Sequence, residues 1–401
     1  MNRQSTALAE DARQDAYANT RPLRVLTLTP FYPSIANPVQ GCFVSEPLQY
    51  TGSHCIQNQV IAVAPFYRPK PHACDSNTEI SWAQYGCIPG NLGLASAGVF
   101  LSRTLHANIA DAHRYKSIDL IHAHAALPCG HAAARLSAHL NIPFVVSVHG
   151  LDVFADNQSG KLLGKWTKQV ATKVYESAAR IICISERVRD RLPSNVQHKA
   201  AVVYNGADAH TFFPVAGPDQ PATTVLSVGN LIPIKDHASL LRAFAALAAE
   251  FPTVKLEIIG EGPERENLIR LANQLGVRPR VQFLGRKSRK EVADAMRACS
   301  VFALPSRYEG LGCVYLEAMA CGKPVVACRG QGIEEIVEHG NNGLLISPDN
   351  VAELTEILQR LLQSQLLRTR LGAAAQRTIV QRCTLEHQAA ELANIYRECA
   401  A

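Results

Sequence analysis

Long apolar runs are absent from this sequence of 401 residues. A helix that spans a membrane needs about eighteen or more consecutive apolar residues. Because no run is that long, no spanning helix is expected. The first twenty-one residues mix charges and contain no apolar core, so they resemble neither a secretory signal peptide nor an element of a fold. The sequence therefore predicts a mobile tail at 1–21.

Cysteine pairs of the C-x-x-C type are also missing, although the chain has twelve cysteines. Several cysteines lie inside apolar runs, as Cys183 does within residues 181–184. This usage is typical of buried, reduced thiols, so a disulfide framework is excluded and a cytoplasmic protein is predicted. His122 and His124 are two residues apart, but no third ligand lies near them in the sequence. No metal site and no cofactor are therefore predicted.

The sequence contains no repeat at solenoid spacing and no low-complexity segment, which argues against a repeat architecture. Its formal net charge is +6 at pH 7. Basic residues cluster most densely at Arg278, Arg280, Arg286, Lys287, Arg289 and Lys290. No nucleic-acid recognition motif accompanies the cluster, so it is interpreted as a solvated edge and nucleic acid is not an expected partner.

Two domains are expected from the length of the chain and from its 47% of apolar residues. Strand-like and helix-like runs alternate in both halves, which predicts an α/β protein with two parallel sheets, each covered by helices on both faces. Residues 68–92 are rich in proline, asparagine and glycine and are expected to be irregular. The expected segments are an N-terminal domain at 22–214, a linker at 215–223, a C-terminal domain at 224–382 and a final helix at 383–401.

The most informative stretch is 305–335, which reads PSRYEGLGCVYLEAMACGKPVVACRGQGIEE. Each half reads as a strand, a glycine turn and a helix, the second helix opening at 330–332. A glycine turn before a helix exposes N–H groups at the positive end of the helix dipole, which suits a phosphate. Glu309 precedes the first turn and Glu317 lies in the helix. Ionised carboxylates accept hydrogen bonds from hydroxyls. The stretch favours a ligand with sugar hydroxyls and phosphate; the alternative is an ordinary turn with solvated glutamates.

This stretch resembles the donor-site signature of the family 4 (group 1) glycosyltransferases, S-x-x-E-G-x-G-x-x-x-L-E-A-M-A-x-G-x-P-V-V. The matching residues are Ser306, Glu309, Gly310, Gly312, Leu316, Glu317, Ala318, Met319, Ala320, Gly322, Pro324, Val325 and Val326. The resemblance extends over about residues 23–395. It implies the GT-B architecture, in which two Rossmann-like domains face each other across a cleft and the last helix crosses back to the first domain.

The resemblance also implies a set of donor-binding residues. Glu317 would accept hydrogen bonds from the ribose, Glu309 would accept them from the donor sugar, and Lys235 would hold the diphosphate. Asn230 replaces the arginine of the family pattern G-R-L-x-x-x-K, which leaves one cation for the leaving group. The implied donor-binding residues are Gly41, Gly229, Asn230, Lys235, Ser306, Glu309, Gly310, Leu311, Gly312 and Glu317.

On the acceptor side, the resemblance implies a role for two short motifs. His149 and Asp152 form H-G-x-D after a strand-like run, and polar residues at the carboxyl ends of parallel strands are typical of ligand sites. His122 and His124 lie in D-L-I-H-A-H, which lines the cleft in the family. His149, Lys235 and Glu309 are the predicted catalytic residues, and His122, His124 and Asp152 are the predicted acceptor-side residues.

The predicted function is a retaining, metal-independent glycosyltransferase that uses a nucleotide-diphosphate sugar, UDP first and GDP second, and a glycan or lipid-linked acceptor. Retention is implied by the family alone. One alternative is a protein that binds a nucleotide sugar without transferring it. Others are an epimerase or phosphorylase with the same fold and a retaining glycosidase that uses the two glutamates.

A basic amphipathic helix is predicted at 161–174, with Trp166 on its apolar face and lysines around the rest. Such a helix can lie in an anionic membrane interface, which predicts peripheral contact with the inner membrane face. The alternative is that the apolar stripe packs on the N-terminal sheet and the lysines are solvated. The oligomeric state is left open.

Overall fold

The computed structural model describes residues 21–35, 37, 39–69, 79–89, 93–150, 161–215 and 223–401, without the side chains of 161–163. The predicted tail at 1–21 lies outside the described residues except for Arg21. The chain divides into two compact units. The first unit comprises Met1–Tyr204 and Leu385–Ala401, and the second comprises Asn205–Thr384.

The first unit is built on a parallel sheet of seven strands in the order β3-β2-β1-β4-β5-β6-β7. Its strands are β1 (Leu23–Thr29), β2 (Ile56–Pro65), β3 (Glu79–Tyr85), β4 (Leu120–His124), β5 (Phe144–Val148), β6 (Arg180–Cys183) and β7 (Ala200–Val202). Its helices up to residue 204 are α1 (Cys42–Tyr50), α2 (Leu94–Tyr115), α3 (His131–Leu140), α4 (Lys161–Ser177) and α5 (Glu186–Arg189). Every residue of β4 and β5 is buried, as expected for central strands covered on both faces.

The second unit has a parallel sheet of six strands in the order β10-β9-β8-β11-β12-β13. The strands are β8 (Thr224–Val228), β9 (Lys255–Ile259), β10 (Val281–Gly285), β11 (Val301–Ala303), β12 (Val325–Cys328) and β13 (Leu344–Ile346). The helices are α6 (His237–Leu247), α7 (Arg265–Gln274), α8 (Arg289–Ala298), α9 (Cys313–Ala320), α10 (Val351–Gln363) and α11 (Gln365–Arg382). Counted from β8, this is the strand order 3-2-1-4-5-6 of a Rossmann-like domain.

The last helix, α12 (Leu385–Ala400), belongs to the first unit. Its apolar face, which includes Leu392 and Tyr396, packs against buried residues of the first sheet such as Val25, Leu120 and Val145. The helix begins two residues later than the predicted segment at 383–401.

The division between the units differs from the predicted boundaries. The N-terminal domain was expected to reach residue 214, but residues 205–214 belong to the second unit. The backbone N–H of Ala207 donates to the carbonyl of Cys383 at 2.8 Å, which ties this segment to the end of α11. The predicted linker at 215–223 lies outside the described residues at 216–222.

The prediction of an α/β fold with two parallel sheets is confirmed, with two local corrections. Residues 68–92 were expected to be irregular, but β3 lies among them and pairs in parallel with β2 from Gln59 to Pro65. Edge pairing there outweighs the weak local pattern. The helix that was expected to begin at 330–332 is only a short 3₁₀ turn, Gly332–Glu335.

The point where the strand order reverses lies between β1 and β4 in the first unit and between β8 and β11 in the second. Doubly wound sheets bind ligands beyond the carboxyl ends of the strands at this switch point. The segments that follow β1, β4, β8 and β11 are therefore the places where each unit can form a site.

Candidate functional site

Most of the predicted donor residues follow the two strands that flank the switch point of the second unit. Gly229, Asn230 and Lys235 come after β8, and 306–312 comes after β11. These strands are parallel neighbours in the sheet, so the segments that follow them begin at the same edge of the sheet. The topology thus brings together Lys235 and Glu309, which are 74 positions apart in the sequence.

The turn before α9 requires glycine at Gly312. Its φ is +84°, and a Cβ atom there would lie 2.6 Å from the ring of Tyr315. That ring is fully buried, and its hydroxyl donates to the carbonyl of Leu304 at 2.6 Å, so it has little freedom to move. The same Cβ position lies 3.5 Å from the carboxyl carbon of Glu309. The carboxylate therefore lies beside the N-terminus of α9.

Lys235 and Glu309, two of the predicted catalytic residues, form an ion pair. The lysine Nζ lies 2.5 Å from the Oε1 atom of Glu309, and the two side chains are 19% and 9% exposed. Lys235 ends the 3₁₀ turn Pro233–Lys235. The pair places a cation and a hydroxyl acceptor next to the glycine turn.

Two further residues hydrogen-bond to the backbone of these segments. The Ser306 hydroxyl lies within hydrogen-bonding distance of the carbonyl oxygens of Ile234 (3.1 Å) and Tyr308 (2.9 Å). The side-chain oxygen of Gln331 accepts from the backbone N–H of Glu309 at 3.1 Å. Ser306 and Gln331 thus fix the backbone around Lys235 and Glu309. Leu311, in the same segment, is fully buried.

The segment around Gly229 packs closely on the neighbouring loop. A Cβ atom at Gly260 would lie 1.9 Å from the carbonyl oxygen of Gly229, so only glycine fits there. Asn230 is exposed. Arg307, which lies two residues before Glu309 and is the first candidate to replace the missing arginine, pairs with Asp349 at 2.7 Å and Asp236 at 3.4 Å. Its charge is therefore already compensated.

Glu317 has a partner that the sequence interpretation missed. Its Oε1 atom accepts a hydrogen bond of 2.5 Å from Nη1 of Arg289, and the two side chains are 4% and 22% exposed. The guanidinium also lies over the ring of Phe212, 4.6 Å from its centroid. Arg289 had been assigned to a solvated basic edge, and this assignment is wrong for Arg289. The two residues are 28 positions apart, and no local pattern links them.

In the first unit, the predicted acceptor-side histidines form a stack, here called the histidine cluster (His122, His124 and His149). Nδ1 of His124 lies 3.0 Å from Nε2 of His149, and the two rings are nearly parallel. His122 bonds through Nδ1 to the hydroxyl of Tyr396 and through Nε2 to the hydroxyl of Ser147, both at 2.7 Å. Tyr396 comes from α12, so the last helix fixes a ring at the switch point.

Burial makes the histidine cluster neutral. It lowers the pKa of His122 to about 3, with a smaller contribution from His149. It also lowers the pKa of His124 well below its usual value, together with repulsion from His122 and His149. Burial lowers the pKa of His149 to about 4. His149 is therefore a neutral imidazole near neutral pH, a form that can donate or accept a hydrogen bond.

Gly41, the predicted phosphate contact of the first unit, precedes α1 with a φ of +75°. A Cβ atom at this position would lie 2.4 Å from the carbonyl carbon of Phe31, so the close approach of the two segments requires glycine. The ring of Phe43, two residues later, contacts His149 with a centroid distance of 4.8 Å. Asp152 lies outside the described residues.

Within the described part of the chain, no group of three or more histidine, cysteine, aspartate or glutamate side chains is arranged to hold a metal ion. The histidine cluster is stacked rather than convergent, and both ring nitrogens of His122 are occupied by hydroxyls.

Comparison with known proteins identifies the family. The sequence profile "Glycosyl transferases group 1" matches residues 208–378, and "Glycosyltransferase Family 4" matches residues 58–211. An uncharacterized glycosyltransferase of Methanocaldococcus jannaschii is 36% identical over 260 residues, which cover 64% of this chain and 69% of that protein. The chain belongs to the group 1 glycosyltransferases. The predicted resemblance is thereby confirmed.

Two further comparisons concern a curated relative and a solved structure. A GDP-mannose-dependent monoacylated alpha-(1-6)-phosphatidylinositol monomannoside mannosyltransferase of Corynebacterium glutamicum is 29% identical over 312 residues, covering 73% of this chain and 79% of that protein. The structure of Anabaena HepE in complex with UDP has a TM-score of 0.72 and 21% identity, and covers 94% of this chain and 100% of that chain. The likeness establishes the fold: the two Rossmann-like domains of this glycosyltransferase are those of the GT-B class.

Proposed function

We propose that this glycosyltransferase moves a sugar from a nucleotide-diphosphate donor to a hydroxyl of a glycan or lipid-linked acceptor, with retention of configuration and without a metal ion. The observation that carries the proposal is the Lys235–Glu309 pair beside the turn at Gly312. It combines a cation, a hydroxyl acceptor and the N-terminus of α9 at the switch point of the second unit. Retention follows the family resemblance.

The chemistry requires the bond between the sugar and the diphosphate to loosen while charge builds on the phosphate oxygens. The Lys235 ammonium and the first N–H groups of α9 would stabilise this charge. Donor binding then has to compete with Glu309 for the lysine. Released from Lys235, the Glu309 carboxylate can accept from sugar hydroxyls, and Glu317 from ribose hydroxyls. His149, as a neutral imidazole, would contact the donor sugar.

UDP is the first choice for the donor nucleotide and GDP the second. The solved structures of Anabaena HepE with UDP and with UDP-glucose support UDP. The GDP-mannose-dependent relative of Corynebacterium glutamicum supports GDP.

A thermal-shift panel of UDP, GDP and ADP tests donor binding. A ligand present at about a hundred times its dissociation constant stabilises the folded protein by about 2.7 kcal/mol. We expect UDP to raise the unfolding temperature most and ADP least. No shift with any of the three nucleotides would contradict a nucleotide-sugar donor.

A second function, binding of a nucleotide sugar without transfer, is favoured by one observation. Asn230 takes the place of the family arginine, and the nearby Arg307 is paired with two aspartates. Lys235 is then the one residue of the two-cation family pattern that remains to neutralise the leaving group. The two functions differ in whether bound donor is ever split.

Peripheral membrane contact through 161–174 remains part of the proposal. The side chain of Trp166 is 44% exposed, and Lys165, Lys168 and Lys173 are exposed on the same helix. Val174 is buried, so the C-terminal half of the apolar stripe packs on the first unit. The side chains at 161–163 lie outside the described residues. None of the helices in the described ranges is long and apolar enough to cross a membrane.

Sedimentation with vesicles of equimolar phosphatidylcholine and phosphatidylglycerol tests this contact. We expect salt-sensitive binding that is lost when Trp166→Ser is combined with Lys165→Glu and Lys168→Glu, because both the aromatic anchor and the charge attraction disappear. Lys255→Glu and Lys290→Glu in the second unit provide the matched control for net charge. Equal binding of both variants would contradict a role for α4.

A further inference from the structure

Arg289 is held by its surroundings more firmly than a surface arginine. It is the first residue of α8, directly after Ser288, whose hydroxyl and backbone N–H both bond to Glu291 in a capping box. This cap fixes the backbone at the start of the helix. The guanidinium lies over the ring of Phe212, whose side chain is 1% exposed. The arginine side chain is therefore fixed at both ends.

The edge of the same guanidinium forms an ion pair with Glu317. Nη1 donates to Oε1 at 2.5 Å, and the carboxylate side chain is only 4% exposed. A carboxylate this deeply buried needs a counter-charge, and a planar guanidinium supplies one in a fixed direction while its face stacks on an aromatic ring. A lysine ammonium offers neither the planar fork nor the stacking face. The geometry at Glu317 thus depends on arginine.

The second carboxylate oxygen of Glu317 is left for another donor. Among the described residues, the carboxylate accepts the one hydrogen bond from Arg289 at Oε1, and no hydrogen bond reaches Oε2. An ionised carboxylate can accept about four hydrogen bonds through its two oxygens. Glu317 follows the glycine turn by one helical turn, close to where the diphosphate is proposed to bind. Its remaining acceptor capacity would therefore serve a nucleotide bound beside the turn.

We propose that Arg289 is a positioning residue for nucleotide recognition. It fixes Glu317 so that the carboxylate accepts hydrogen bonds from the 2′- and 3′-hydroxyls of the ribose. The site is thereby selective for ribonucleoside diphosphates over the dideoxy forms. This inference rests on the proposed function. It adds Arg289, which lies outside the glutamate signature, as a residue that determines selectivity for the ribose.

The test compares UDP with 2′,3′-dideoxy-UDP, and GDP with 2′,3′-dideoxy-GDP, by titration calorimetry. The proteins are the wild type, Arg289→Gln, Arg289→Lys and Phe212→Leu, with Lys290→Gln as the control. Lys290 is the next residue of α8, is exposed and carries the same charge. The measured quantity is the ratio of the two dissociation constants for each nucleotide pair.

We expect the wild type and Lys290→Gln to bind the ribonucleotide about tenfold more tightly or better, since a hydrogen bond to a charged group corresponds to at least that factor. In Arg289→Gln and Arg289→Lys the ratio should fall toward about one, mainly through weaker binding of the ribonucleotide. Phe212→Leu, which keeps the charge but removes the stacking ring, should give an intermediate ratio.

Three results would overturn this inference. One is a wild-type ratio near one, and another is a ratio that the Arg289 variants leave unchanged. The third is an equal loss of affinity for both members of a pair, which would mean that Arg289 acts only on folding or on general charge. If the wild type binds neither UDP nor GDP, the proposed function itself fails and the inference fails with it, so the two failures are distinguishable.

Discussion

Replacing Lys235 by alanine is expected to lower the rate of sugar transfer by about a hundredfold or more, because removing one preorganised group that stabilises developing charge typically has an effect of this size. Asn230 stands where the family has arginine, and the charge of Arg307 is already compensated by two aspartates. Among the described residues, Lys235 is the lysine of the family pattern, and we therefore expect the leaving group to depend on it. Steady-state kinetics with the donor identified by thermal shift measures the effect.

The Lys235→Ala variant also leaves Glu309 buried without its partner, so a loss of stability has to be separated from a loss of catalysis. The double variant Lys235→Ala/Glu309→Gln should regain stability but not turnover. Lys255→Ala, which removes an exposed lysine at the start of β9, should leave both unchanged. Near-normal turnover of Lys235→Ala would contradict the role of Lys235.

Replacing Gly312 by alanine is expected to lower the free energy of unfolding by about 2–5 kcal/mol and to abolish measurable donor binding. The left-handed backbone costs a non-glycine residue about 1–2 kcal/mol, and overpacking a rigid site adds about 1–3 kcal/mol. The added methyl group would overlap the ring of Tyr315, which is held by its hydrogen bond to Leu304. Because the carboxylate of Glu309 lies beside the same turn, a displacement of the Tyr315 ring should also displace this carboxylate and so weaken donor binding.

Gly276→Ala is the matched control for this prediction. Gly276 also has a positive φ, +70°, but no atom lies within 4 Å of the position that a Cβ would occupy. It should therefore show the backbone cost alone, about 1–2 kcal/mol, and bind nucleotide normally. Chemical denaturation and calorimetry of both variants provide the comparison. Equal loss of stability in the two variants would mean that the contact with Tyr315 is unimportant.

The regular elements of this chain could be predicted because their periodicity is strong. Helix α2 (Leu94–Tyr115) buries apolar residues at helical spacing, such as Leu101, Leu105 and Ile109, and every residue of the central strands β4 and β5 is buried. The edge strand β3 could not be predicted, since it follows a segment rich in turn-forming residues and depends on pairing with β2. The local hydrophobic pattern predicts helices and strands of the core, whereas an edge strand forms because it pairs with a neighbouring strand.

The same limit applies to the site. The glycine turn and both glutamates were visible in 305–335, because their spacing is local. The partners of these residues were not: Arg289 is 28 positions from Glu317, and Tyr396 is 274 positions from His122. The contact between His124 and His149 depends on β4 and β5 being neighbours in the sheet. Such contacts require the strand order and the helix packing, which no local pattern in the chain contains.

The most direct test of glycosyl transfer is the release of nucleoside diphosphate measured in the presence of a nucleotide sugar, with and without acceptors. The acceptors are hexose phosphates, inositol phosphate, short oligosaccharides and lipid-linked sugars, and the donors are UDP-glucose, UDP-N-acetylglucosamine and GDP-mannose. We predict that release accelerates with an acceptor and that a glycosylated acceptor forms in equal amount. Donor that is bound but never split, or split at the same rate without any acceptor, would contradict a glycosyltransferase.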